Sequence, residues 1–120
     1  MAAVKEVELI VPQGATFIYE VTYKDPDTDL PINLTGYSAR LQIREKIDST
    51  TTIYSALSTG LTPALVITAG SGLVVLTVPA TTTAGWTFKK AVFDLEIEST
   101  LGVVTRLVKG TMILDKEVTR

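Results

Sequence analysis

The chain has 120 residues, a formal net charge of -2, and neither cysteine nor histidine. That length fits one domain with one core, able to bury about two thirds of the surface its unfolded form exposes. Disulfides, thiol nucleophiles and thiolate metal sites are excluded, the commonest general base and metal ligand is missing, and the charge gives no field to gather nucleic acid or acidic membrane.

A first strand is predicted from Val4 to Val11, where Val7, Leu9 and Val11 alternate with Glu6, Glu8 and Ile10. Pro12 stops it and Gly14 turns the chain. A second strand carries Phe17, Tyr19, Val21 and Tyr23 on one face, and a polar loop follows from Asp25 to Asp29. The run Pro31 to Lys46 holds the most regular strand, with Tyr37, Ala39, Leu41 and Ile43 alternating with Ser38, Arg40, Gln42 and Arg44. A period of two puts one face in the core and the arginines on the wet one.

Glu45 to Thr52 reads as a loop and Ile53 to Leu57 as a short strand. Ala64 to Ala69 and Leu73 to Val78, split by Gly70-Ser71-Gly72, form a hairpin pattern ended by Pro79. Ala80 to Trp86 is either one helical turn or an irregular crossover between sheets, with Gly85 as its stop. Phe93, Leu95 and Ile97 alternate with Asp94, Glu96 and Glu98, and a turn at Thr100-Leu101-Gly102 leads into a last strand from Val103 to Leu114. Gly110 is expected to mark a bulge there. The pattern predicts an all-β fold, an antiparallel immunoglobulin-like β-sandwich of seven to eight strands in a single domain spanning 1–120.

The charged fraction, 20%, is below the usual figure of about 25%. A surface so lightly charged suits contact with other protein, and it equally suits a lightly charged monomer. No segment approaches the roughly 20 apolar residues of a membrane span, and the amino terminus has no signal-peptide pattern. The product is therefore expected to stay in the compartment where it is made.

Little in the sequence points to chemistry. Asp25, Asp27 and Asp29 alternate like the start of a calcium loop, but Leu30 stands where the glycine belongs and strands flank the segment. A solvated hairpin loop is the expectation, with no metal and no cofactor. Arg40 and Arg44, with Asp94, Glu96 and Glu98, make either a cross-strand ion-pair ladder or part of a docking surface. Serines and threonines have no histidine partner, so no catalytic residue is assigned. Trp86 either plugs one end of the sandwich or anchors a partner chain.

Several separated stretches resemble small bacteriophage virion proteins related to the amino-terminal domain of siphophage baseplate upper proteins. They are Gln13-Gly14-Ala15-Thr16-Phe17, the run from Pro31 to Arg44, Phe93-Asp94-Leu95-Glu96-Ile97, and Val104-Thr105-Arg106-Leu107 leading through Gly110 to Glu117-Val118-Thr119. Phe93 stands where that pattern has a tyrosine. The resemblance implies a non-enzymatic β-sandwich module, made in the host cytoplasm and built into the virion, that attaches fibre or adhesin proteins to the tail or baseplate. Its partners would be other virion proteins and further copies of itself, with no nucleic acid and no membrane. A capsid decoration or head-tail neck protein is the alternative within the virion, and a carbohydrate- or peptide-binding sandwich is the alternative outside it.

The terminal strands carry more apolar residues than one side of a sheet buries, with Ile10 on a nominally wet face and Val108 and Met112 in the last strand. The expected partner interface is accordingly Val7, Ile10, Arg40, Arg44, Trp86, Val108 and Met112. An open edge at the first strand would let a neighbour add a strand.

Overall fold

A computed structural model of the chain describes residues 5–119. The predicted start of the first strand at Val4 lies outside the described residues. The strands are β1 (Lys5–Pro12), β2 (Phe17–Thr22), β3 (Ser38–Arg44), β4 (Tyr54–Leu57), β5 (Leu65–Thr68), β6 (Leu73–Val78), β7 (Lys90–Glu98) and β8 (Val104–Asp115). A 3-10 turn, Ala69–Ser71, joins β5 to β6, and a one-turn helix α1, Ala80–Ala84, follows β6. They form two sheets, a five-stranded one in the order β1-β8-β7-β3-β4 and a three-stranded one in the order β2-β6-β5.

The alternation read from the sequence decides which side of each strand is buried. In β7, Ala91, Phe93, Leu95 and Ile97 are buried while the residues between them are half-buried. β3 does the same with Ala39, Leu41 and Ile43. These faces meet Leu65, Val74, Leu76 and Val78 of the smaller sheet in one core, joined by Leu34 from the loop before β3. Each of the larger side chains among them contributes about 1.5–3 kcal/mol by leaving water, which makes this layer the main source of stability.

All but one of the pairings are antiparallel; β1 lies parallel to β8, with Val7 beside Gly110 and Val11 beside Leu114. The wholly antiparallel expectation fails there because the two strands share no hairpin. They come from the two ends of the chain, so no connection constrains their direction.

The bulge is also not at Gly110. Leu95 pairs with Val108 and Glu96 with Arg106, so Leu107 is the extra residue. Leu107 and Val108 both become buried as a result, which resolves the surplus of apolar residues on β8. Gly110 instead sits in regular register between Phe93 and Val7. A Cβ built there would run into the carbonyl of Val7, so the glycine is what lets β1 lie against β8.

Two of the four crossings between the sheets meet at one end of the molecule. The β1–β2 turn and the β6–α1–β7 crossover are tied by Thr83, the one buried polar residue among the described residues. Its hydroxyl donates to the Ala15 carbonyl at 2.8 Å and accepts from the Gly14 N–H at 3.0 Å. Gln13 adds two links, donating from Nε2 to the Trp86 carbonyl at 2.7 Å and accepting at Oε1 from the Glu117 N–H at 3.0 Å.

Two substitutions test this account. Gly110→Ala should lower the unfolding free energy by about 1–3 kcal/mol, the usual cost of overpacking, measured by urea denaturation. Thr83→Val keeps the shape and removes the hydroxyl, leaving the Gly14 N–H without its acceptor. It should cost about 1–3 kcal/mol, while the exposed Thr81→Val on the same helix should be close to neutral.

Candidate functional site

The residues expected to face a partner divide into two groups. Val108 and Met112 are fully buried and Trp86 is nearly so, so none of them is available to another chain, which corrects that assignment. The cause is local: the bulge at Leu107 keeps Val108 inward, and Met112, four residues further along, falls on the same face. Trp86 closes one end of the core, edge-on to Tyr54 at 5.7 Å between ring centres and tilted against Phe88 at 5.6 Å. Val7 is half-buried against the core, whereas Ile10 is 63% exposed on the outer side of β1.

Arg40 and Arg44 lie on the outer face of the five-stranded sheet. Register sets Arg40 directly opposite Glu96, and Arg40 Nε meets Glu96 Oε1 at 2.9 Å while Nη1 reaches Glu98 at 3.4 Å. The hydrogen bond and charge of Glu96 raise the Arg40 pKa further. Of the two readings of these charges, the cross-strand ladder is formed within the chain. Arg44 turns to the following loop, donating to the Ser49 carbonyl at 2.7 Å and to Gln42 at 3.0 Å.

Arg106, not singled out from the sequence, completes the ladder at 3.5 Å from Asp94. The signal was present in the spacing, since Val104 and Arg106 share a face ahead of the bulge. A shallow groove of about 380 Å³ runs over this part of the sheet, between Asp94, Arg106 and Lys109 on one side and Arg44 and Ile47 on the other. Ile47 is 87% exposed on its loop. Charges of both signs line the groove, so it has no single electrostatic preference.

Asp94 lines the groove. Partial burial pushes its carboxyl above the ordinary aspartate range, and the Glu96 charge adds to this, against the lowering effect of Arg106, Arg40 and Arg44. Desolvation outweighs the ion pair because the contact with Arg106 is long and half in solvent.

The Asp25–Asp29 loop is held by its own polar groups. Asp25 Oδ1 accepts from the Asp27 N–H at 2.8 Å, and the Asp25 carbonyl accepts from the Asp29 N–H. Lys24 bridges to Pro31 at its neck. Among the described residues no group of three or more acidic side chains is arranged to hold a metal ion. No helix among them is long and apolar enough to cross a membrane.

No protein-family model and no curated protein matches the chain.

Asp94 gives a test with a defined sign. Its pKa is raised on folding, so its protonated form favours the folded state. That contribution is full below the unfolded value, about 3.9, and is lost as pH rises through the folded value. At pH 7 the charge therefore opposes folding. Asp94→Asn should be at least as stable as the parent at pH 7, with the difference shrinking to nothing below about pH 4. Paired thermal melts across that range would show it; a clear loss of stability at pH 7 would mean that the Arg106 pair dominates.

Proposed function

We propose that this chain is a structural protein of a bacteriophage virion, a non-enzymatic adaptor of the tail or baseplate that attaches fibre or adhesin proteins. The observation that carries this reading is where the phage-like stretches fall. Gln13 and Glu117, 104 residues apart, are hydrogen-bonded. Arg40 of the Pro31–Arg44 run pairs with Glu96 of the Phe93–Ile97 stretch, and β7 in turn pairs with β8, which holds Val104 to Leu107. Four stretches distant in sequence are thus neighbours in one framework, as the resemblance expects.

We also read the architecture as immunoglobulin-like. In that scheme β2, β6 and β5 take the places of strands B, E and D, and β8, β7, β3 and β4 those of G, F, C and C′. β1 then stands beside the last strand in the larger sheet. The disulfide and strand-C tryptophan of antibody domains have no counterpart, since the chain has no cysteine and its one tryptophan, Trp86, follows α1. Thr83, Gln13 and the Trp86 cluster hold the sheet-crossing end instead.

The test is the composition of purified particles. Mass spectrometry should find the protein in virions at a fixed copy number, and cryo-microscopy should place it in the tail at a small multiple of three or six. Its absence from washed particles would end the proposal, and hundreds of copies on the head would replace the tail assignment with decoration.

A further inference from the structure

The outer faces of the two sheets differ sharply in charge. That of the larger sheet carries the ion-pair ladder, whereas the smaller sheet shows Ile18, Thr22, Leu73, Val75, Val66 and Thr68 in register. Ile18 is 59% and Val66 52% exposed. The charged residues on this face are Glu20 and, two side chains further along the same edge, Lys24. Neither belongs to an ion pair among the described residues. Four residues of extended chain separate them by about 13 Å, too far to pair with each other.

We propose that this face is a homotypic docking surface, on which a second copy of the chain packs sheet to sheet. Glu20 and Lys24 are opposite in sign and evenly placed about Thr22, the arrangement that an isologous two-fold contact requires. With the axis along the Thr22–Leu73–Thr68 row, Glu20 of each copy lies over Lys24 of the other. The same rotation carries Val75 and Val66 past the end of the paired strands toward the Ala69–Ser71 turn, whose Gly70 and Ser71 are small and exposed. Between the two ion pairs Thr22 then meets Thr22 of the second copy, with Leu73 meeting Leu73 beside it, and neither Glu20 nor Lys24 is left buried without a partner.

The area sets the strength. Three strands about 4.8 Å apart and six residues long present on the order of 300 Å², against the roughly 800 Å² per partner of a standard stable interface. The contact is therefore weak between free molecules and populated when many copies are held close together. It does not depend on the virion assignment, because it is a property of the isolated chain.

Sedimentation equilibrium of the full chain over a wide concentration range tests the proposal. A monomer–dimer equilibrium should appear toward the highest concentrations. Glu20→Lys or Lys24→Glu alone sets like charges against each other and should weaken it about tenfold. The double exchange should restore the parent constant, and Val66→Asp should abolish the dimer with the circular dichroism spectrum unchanged. A parent that stays monomeric throughout, a double variant no better than the singles, or a dimer indifferent to Val66→Asp would each overturn the assignment.

Discussion

The constraint on which the rest depends is the tie that Thr83 and Gln13 make between two of the four sheet crossings. A sandwich of two sheets stays registered only if the chain passes from one layer to the other at fixed points. Here the β1–β2 turn and the β6–β7 crossover are bound to each other by a hydroxyl that is fully buried and fully used. Because Gln13 also engages Trp86 and Glu117, the end of the last strand is fixed to the same point. Shifting any one segment would leave a buried donor or acceptor unpaired, a penalty that apolar packing, being non-directional, does not impose.

From that point the larger sheet extends as a stiff plate. β7 is its organising strand, flanked on both sides by antiparallel neighbours. Its inward side chains are the core, and its outward acids are met by Arg40 from β3 and Arg106 from β8. Half-exposed pairs of this kind are individually worth about 0–1 kcal/mol. Their greater effect is on register, since sliding β3 by one residue would turn Arg40 toward the core and Leu41 toward solvent.

How much of this could be read from the sequence depends on the range of the signal. Alternation in β3 and β7 is a local pattern, and both strands formed where Ala39–Ile43 and Phe93–Ile97 indicated. The stop after the helical turn at Gly85 is local too. What stayed hidden was decided across the chain. The bulge at Leu107 depends on which residues of β7 stand opposite, so counting along β8 alone placed it at Gly110. Gly110 is required for a different reason, the close approach of β1, which arrives from more than a hundred positions away. In the candidate surface the arginines were legible as exposed, but Trp86, Val108 and Met112 were misplaced because an apolar residue near a sheet boundary looks the same whether it closes a core or faces a partner. Thr83 carried no signal, being one of several threonines in a row.

The free edges bear on how such a body meets its neighbours. β1 offers eight residues, but Lys5, Glu6 and Glu8 are charged and Pro12 ends the ladder; β2 offers six, with Glu20 among them, and β4 and β5 offer four each. Short strands, edge charges and proline are the features that hinder strand addition. Val7 and Leu9 of β1 also pack on the core, so this strand holds its own fold together and cannot be given up freely to a neighbour. The outer face of the smaller sheet has no comparable deterrent beyond one charge of each sign. The features that hinder contact are therefore concentrated at β1 rather than on that face.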